Sequence, residues 1–565
     1  MAWSLTTKKM ALSSVSIAAL CCYSNAIANP QGGQVVEGNA TIISTDKKLD
    51  IHQHTDKTII NWQKFDIDID EHTQFHQPSS SATALNRVKS ADPSSILGKL
   101  TANGNIILIN PNGVFFGKDS VVDVNGIIAT TADINNSDFM NGNLNFNIPG
   151  NPNASVVNEG MITAKEAGLV GLVAPNVLNS GIITAKLGKV QLASGDSFVL
   201  DLYGDGLYSI KISDEVASQL VGNTGEISAE GGTIAITAAA AKEIVNSLIF
   251  IEGSLKATSV QQKGGKIIIS AEGANSIDGN VADDKGLKEG NSNIVISNAL
   301  IDASGRDEGE QGGEIEILAD NINIMDNVVI DATGHSAPVP VQKPDGGTAA
   351  MTADKDVRSE EDFLAHENRA GGSIKIGGDY LGKGDTATAE YVYVDQNSLI
   401  LNDALYSGDG GRTIIWSDKT TKFYSNVYAR GGINGGNGGF LETSGKEYLD
   451  ALGFADLTYR FEGYKKGTYL LDPADITIYG NVDPTFVSSD ASVDLSADLQ
   501  LWLDADDTDG DNVSYASDSD ETSGLLSTWV DKSGNGNDAT SGTGIVIGSK
   551  TQNGRNVVTL ALSHV

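Results

Sequence analysis

Residues 156–196 read VVNEGMITAKEAGLVGLVAPNVLNSGIITAKLGKVQLASGD, and the pattern Asn-x-Gly-x-Ile-x-Ala occurs in them twice, from Asn158 and from Asn179. A third copy, NTGEISA, begins at Asn223, so the spacings are 21 and 44 residues and imply a unit of 21 to 22 residues. In each copy Asn and Gly suit a corner, after which Ile and Ala alternate with polar residues, the period of a strand with one buried face. A unit of this length holds three short strands and three turns. That is one coil of a right-handed parallel β-helix, so the predicted fold class is all-β, a stacked solenoid.

Further along, EGGTIAITA, KGGKIIISA, QGGEIEILA, AGGSIKIGG, DGGRTIIWS and NGGFLETSG repeat a second motif, with Gly pairs beginning at 231, 264, 312, 371, 410 and 438. A glycine pair before a β-branched run reads as a corner with positive φ leading into a strand. The uneven spacing implies excursions between coils. The largest candidate, 337–370, is Pro-containing and charged and reads as a projecting loop with one short helix at 359–366. With coils of this size, residues 29 to 480 would make roughly 20 turns and a rod on the order of 100 Å long. Residues 29–80 are expected to cap its first coil with short antiparallel strands, because an open strand edge invites aggregation.

The chain has 565 residues with 73 acidic and 38 basic side chains, a formal charge of −35 that excludes nucleic-acid binding. Glycine is frequent at 64 residues and proline scarce at 12, which fits many tight turns between strands rather than disorder. Lys8 and Lys9, a short apolar run and the small-x-small triplet Ala26-Ile27-Ala28 read as a signal peptide cleaved between Ala28 and Asn29. The apolar run is too short to span a bilayer, and no transmembrane segment follows it. Cys21 and Cys22 are the only cysteines and both fall inside this signal. Leu20 is bulky where a lipoprotein signal prefers a small residue, so the mature chain is expected to carry no cysteine and to take its rigidity from the fold.

Within LINPNGVFFGKD, residues 108–119, the tetrapeptide Asn110-Pro111-Asn112-Gly113 suits a type I turn between two apolar strands. Here the residues carry a family resemblance. TIINWQKFDI (58–67), QPSSSATALNRV (77–88), SSILGKLTANGNIILINPNGVFFG (94–117) and the stretch 156–196 together resemble the haemagglutination-activity domain of filamentous haemagglutinin-type exoproteins, the passengers of two-partner secretion in Gram-negative bacteria. The likeness runs from Gly33 to Ser213, and 409–480 resembles the repeats that follow this domain in many such proteins. It implies export through the periplasm and outer membrane to the cell surface or beyond, by a cognate outer-membrane pore whose POTRA domains recognise the N-terminal domain. Asn110, Pro111, Asn112 and Gly113 take the place of the family's secretion motif. The family's additional Asn-Pro-Asn-Leu motif is missing, and Asn151-Pro152-Asn153-Ala154 reads as another turn.

Little else suggests chemistry. His52, His54, His72 and His76 have spacings that could hold zinc or copper, yet no cysteine accompanies them, and a polar outer face of the cap is the simpler reading, with no metal assigned. No nucleophile elbow, P-loop or dinucleotide fingerprint appears, and the acidic residues are scattered, so the chain is not expected to be an enzyme or to carry a cofactor. At the C-terminus, LWLDADD and STWVDKSGNGNDA are similar to the opening of concanavalin A-like, laminin-G-type jelly-roll modules. That similarity implies carbohydrate binding, with Trp502 and Trp529 either stacking on a sugar or packing a sandwich core. DADDTDGDN is either a loose calcium loop or an acidic linker; it fails the EF-hand register because Ala505 stands at the first ligand position.

The expected division is a signal peptide at 1–28, the secretion domain at 29–213, a β-helical repeat region at 214–480, a linker at 481–496 and an incomplete lectin module at 497–565. The predicted function is a secreted adhesin of the haemagglutinin type whose partners are the pore and surface glycans. The alternative is the stem of a contact-dependent toxin or other effector whose C-terminal catalytic domain is expected to be absent from this chain.

Overall fold

The computed structural model describes residues 29–202, 206–213, 216, 219–239, 247–261, 263–271, 292–336, 368–384 and 386–471, and the backbone of strands Asp475–Ile478, Leu525–Trp529, Ala539–Gln552 and Arg555–Ala561. The signal peptide with both cysteines and Ala28, nearly all of the 337–370 excursion, the 481–496 linker, the 504–512 acidic loop and Trp502 lie outside the described residues, as does the side chain of Trp529.

Three long parallel sheets wrap one core. Face one has 14 strands, from Gln34–Glu37 to Thr468–Leu471, face two has 14, from Ala40–Ser44 to Phe454–Asp456, and face three has 11, from Ser94–Ile96 to Tyr448–Ala451. Each full coil supplies one strand to each face, and the chain is a parallel β-helix. Identical residue types stack in register. On face one Ile106, Ile127, Val170, Val190, Ile234, Ile267, Ile315 and Ile374 form one inward column in which none is more than 1% exposed. Burying each such side chain is worth about 1.5–3 kcal/mol, and the column explains why β-branched residues recur at one position of these eight coils. The expected cap is present and short. Gln34–Glu37 runs antiparallel to Lys57–Trp62 and Ala40–Ser44 antiparallel to Lys48–Gln53, whereas Lys48–Gln53 already pairs in parallel with His72–His76.

The Asn repeat has a role beyond a corner. Asn158, Asn179 and Asn223 are fully buried and stand directly above one another on face three. Asn158 Nδ2 donates to Asn179 Oδ1, and Asn179 Nδ2 to Asn223 Oδ1, each at 2.7 Å, while each amide also donates to the carbonyl of the glycine two residues on. A one-residue slip would break every bond in this ladder, so it fixes register.

The direct pairing of Asn179 with Asn223 also corrects the unit length: their 44-residue spacing is one coil, not two. Most of the extra length is a hairpin, Ser197–Asp201 with Gly206–Lys211, joined by Asn145–Phe146 and lying outside the rod. Coils elsewhere are longer than 22 residues too, as in the step of 27 from Ile400 to Val427. Behind the antiparallel cap strand, the face-two ladder therefore counts thirteen coils among the described residues, not twenty. At ~4.8 Å per coil the rod is about 60 Å long.

Two further expectations change. Of the six leading glycines in the Gly-Gly pairs, only Gly231 has a positive φ among the described backbone; the pairs are needed for space instead. A Cβ on Gly313 would sit 2.1 Å from the Gly265 carbonyl oxygen and 3.0 Å from that of Ala303, so neighbouring coils touch backbone to backbone at this corner. At the other end, Asp475–Ile478 does not continue the rod. It pairs antiparallel with Arg555–Ala561 in a four-stranded sheet with Ala539–Gln552 and Leu525–Trp529, which moves the boundary of the C-terminal unit ahead of the expected linker.

Replacing Asn179 by Ala strands a donor on Asn158 and an acceptor on Asn223, and is expected to cost about 1–3 kcal/mol. Thermal denaturation of the purified chain would show the loss, and a smaller loss for the solvent-facing change Thr184→Ala.

Candidate functional site

Asn110-Pro111-Asn112-Gly113 forms the corner between face-one strand Asn105–Ile109 and face-three strand Val114–Phe116. The Gly113 N–H donates to the Asn110 carbonyl at 2.9 Å and closes the expected turn. Asn110 is fully buried and uses its whole amide: Nδ2 donates to the Asp92 carbonyl at 3.0 Å and to Ser94 Oγ at 3.1 Å, while Oδ1 accepts from the Asn112 N–H at 3.0 Å. Asn112 Nδ2 reaches back to the Ser90 carbonyl at 3.1 Å. Gly113 has φ +115°, and a Cβ there would meet the Ser155 carbonyl oxygen at 2.6 Å, so two independent constraints demand glycine.

Three successive coils meet at this corner. Segment 90–94 belongs to the coil before it; in the coil after it, the Asn151 N–H donates to the Pro111 carbonyl at 2.8 Å. Asn151-Pro152-Asn153-Ala154 repeats the same device, with Asn151 Oδ1 accepting from the Asn153 N–H at 2.9 Å. The second turn, read from sequence as separate, is thus stacked on the first. Face three begins here. Its first strand, Ser94–Ile96, is held by Asn110 at one end and pairs with Val114–Phe116, so the corner lies where a two-faced cap becomes a three-faced rod.

The apolar runs beside the corner have a second reason for existing. Asn105–Ile109, Gly126–Thr130 and Leu169–Ala174 are buried along their whole length. Their outer side chains, Ile107, Ile109, Ile128 and Val173 among them, form a separate core with Phe139, Phe146, Phe198 and Leu207 from the excursions that cover face one. Phe146 and Phe198 stack at 4.5 Å. Arg87, only 5% exposed, clamps the first excursion: Nε donates to both carboxylate oxygens of Asp133 at 2.8 Å, and the guanidinium also reaches Asn136 Oδ1 and the Ile134 carbonyl. The family-like motif that contains Arg87 does not by itself give this residue a role. The available signal was a single cation in an otherwise uncharged, largely apolar stretch, ATALNRV, which needs a buried partner.

Asn29, the expected first residue of the processed chain, is buried at 7% exposure beneath the first coils. Its backbone nitrogen lies 2.6 Å from Glu71 Oε2, and Thr73 Oγ1 donates to its side-chain oxygen. Burial pushes the Glu71 carboxyl above its usual range, with Asp68 and Asp70 adding to the effect.

The four N-terminal histidines lie outside the core, as expected of a polar outer face, but they are not equivalent. His54 is hydrogen-bonded to Thr41 Oγ1 and His72 to Thr101 Oγ1. Burial holds His72 below the ordinary imidazole pKa, and the neighbouring Lys48 and Lys99 add to this. His52 and His76 stack on each other beside Asp50. Burial alone would raise the Asp50 carboxyl, yet hydrogen bonds from His76 and Lys48 hold it below its usual range.

Known proteins share this architecture. Residues 26–282 match the family model described as the TPS secretion domain. The chain carries a TPS secretion domain, the domain of two-partner secretion. The matched region passes the boundary expected at 213, which falls just after a hairpin inserted within the rod and not at the rod's end. Two heme/hemopexin-binding proteins of Haemophilus influenzae are similar, at 36% identity over 256 residues (44% of this chain) and 33% over 265 residues (43% of this chain). The similarity spans only 28% of the length of each relative. The crystal structure of the HMW1 secretion domain from Haemophilus influenzae matches with a TM-score of 0.61 and 28% identity, covering 79% of this chain and all of that one. TPS domains belong to chains exported across the outer membrane by a partner transporter, and no helix of the described residues is long and apolar enough to cross a membrane.

Removing the Asn110 amide leaves the Asp92 carbonyl, Ser94 Oγ and the Asn112 N–H without their partner. Asn110→Ala is expected to cost about 1–3 kcal/mol in urea denaturation. Pro111→Ala, which keeps every hydrogen bond of the turn, is expected to cost under about 1 kcal/mol.

Proposed function

We propose that this chain is a surface-displayed or released adhesin exported by two-partner secretion, and that the Asn110–Gly113 corner acts in export by organising the first coils. In this reading the processed chain leaves the periplasm unfolded, its N-terminal region engaged by POTRA domains of a cognate outer-membrane pore. Folding outside supplies direction. Outside the inner membrane there is no ATP to drive transport, and each coil that stacks on the emerging rod opposes backsliding.

The observation that carries the proposal is the position of the corner. One buried amide, Asn110, ties its own turn to the 92–94 segment of the coil before, where face three starts, and the next coil bonds to Pro111. Pro111 and Asn112 are only partly exposed and Gly113 is buried, so the folded turn offers little surface to a pore and much to its own neighbours. The Asn29–Glu71 contact supports cleavage after Ala28. In the processed chain the nitrogen on Glu71 would be an α-ammonium, turning a neutral hydrogen bond into a charge-assisted one at the cap.

The adhesive part of the reading rests on the rod that displays surface away from the secretion domain, and on the antiparallel sheet at 475–561 that accompanies the lectin-like residues around Trp529. Surface glycans are the proposed ligands of that unit. The ligands named for the relatives do not carry over to this chain, because the similarity spans only 28% of the length of each relative.

The test is secretion in a Gram-negative host with and without a cognate pore. Wild type is expected in the medium only with the pore. Asn110→Ala and the double change Pro111→Gly, Gly113→Val are expected to be retained in the periplasm at least in part, the double change more strongly. Equal export of all three chains, or export that needs no pore, would remove the proposal.

A further inference from the structure

The outer surface of face two, at the N-terminal end of the rod, carries chemistry that export does not use. Asp50 and His52 sit two residues apart on strand Lys48–Gln53 and therefore point to the same side of the sheet. His76, on the parallel neighbour His72–His76, stands directly beside His52. His76 Nε2 lies 2.8 Å from Asp50 Oδ1, and the two imidazole rings stack at 4.5 Å with 13° between their planes. One ligand atom from each of Asp50, His52 and His76 lies within 4.8 Å of those from the other two, and all three residues are partly buried.

We propose that Asp50, His52 and His76 bind one divalent transition-metal ion of the zinc and copper class. Zinc takes nitrogen and oxygen ligands at about 2.0–2.2 Å, so two ligands of one ion stand up to about 4.4 Å apart, and small side-chain rotations bring this trio into range. Two imidazoles with one carboxylate favour zinc, copper or nickel over calcium and magnesium, which prefer six or more oxygens. The other two histidines are engaged elsewhere, His54 on Thr41 and His72 on Thr101, which leaves His52 and His76 as the nitrogen ligands. Lys48 Nζ, 2.9 Å from Asp50 Oδ1, holds the carboxylate until the ion displaces it.

The ligands come from two successive coils, with His76 24 positions after His52. The ion would thus bind the stacked form and not the unfolded chain, clamping the first coil to the second beside the cap.

Isothermal titration of the full secreted chain, without an affinity tag, tests this with zinc, copper and nickel salts against calcium and magnesium. A saturable zinc site of one ion per chain is expected, with a rise in the thermal midpoint. His52→Ala and His76→Ala should each weaken zinc binding at least about tenfold, whereas His54→Ala and His72→Ala should leave it within about twofold. Far-ultraviolet circular dichroism establishes that the variants keep the β-helix. No saturable zinc binding by the wild-type chain, or zinc binding that survives the His52→Ala, His76→Ala double change in a folded chain, would overturn the assignment.

Discussion

Every interior coil of this protein satisfies its backbone hydrogen bonds on the coils above and below it. A parallel ladder has no local turn to close it, and its bonds join residues 20 to 70 positions apart, as between Ile162 and Ile183 or Ile330 and Ile400. The first coils therefore have to form without a template. What is unusual about the N-terminal quarter of the rod follows from this: an antiparallel cap, a corner fixed by a fully buried asparagine, and a face buried on both sides.

Those features act on one another. The corner at Asn110 anchors the start of face three, and the face-one strand leading into it, Asn105–Ile109, belongs to the two cores at once, because the excursion held by Arg87 and Asp133 covers the outside of face one. In strands Glu314–Leu318 and Ser373–Ile376 the outward side of face one turns polar, whereas Arg412–Ser417 and Phe440–Gly445 are covered again by the turn Tyr380–Gly382. Lys266, Glu314, Glu316 and Lys375 pair across that polar surface. A chain that emerges from a pore N-terminus first would present its most heavily buried coils first, and later coils would add to an existing edge. That order suits transport driven by folding.

Much of this was legible in the sequence. The Asn-x-Gly-x-Ile-x-Ala copies announce a β-helix because Ile162, Ile183 and Ile227 occupy the same position of their coils, and the stacking of like residues is what makes a repeat visible. The turn at 110–113 was visible because Asn, Pro and Gly each restrict the backbone in a known way. Less visible was anything that depends on which segments lie outside the rod. The 44-residue spacing resembled two coils because an inserted hairpin has about the length of one, and strands 105–109 and 126–130 lack alternation because a remote excursion covers their outer side. The glycine pairs were readable as corners, but their cause, carbonyl oxygens of neighbouring coils about 2 Å from a would-be Cβ, is a property of stacking. Likewise His52 and His76 fall on one site only because a 24-residue offset puts their strands in register.

Hydrogen exchange across the full secreted chain most directly tests the claim that the N-terminal coils are the stable seed of the rod. The account predicts that amides in Ile106–Ile109, Ile127–Thr130 and Leu169–Ala174, buried on both faces, exchange most slowly and only through global opening, whereas Phe454–Asp456 and Thr468–Leu471 exchange through local fraying. Equal protection along the rod, or slower exchange in its last coils, would contradict it.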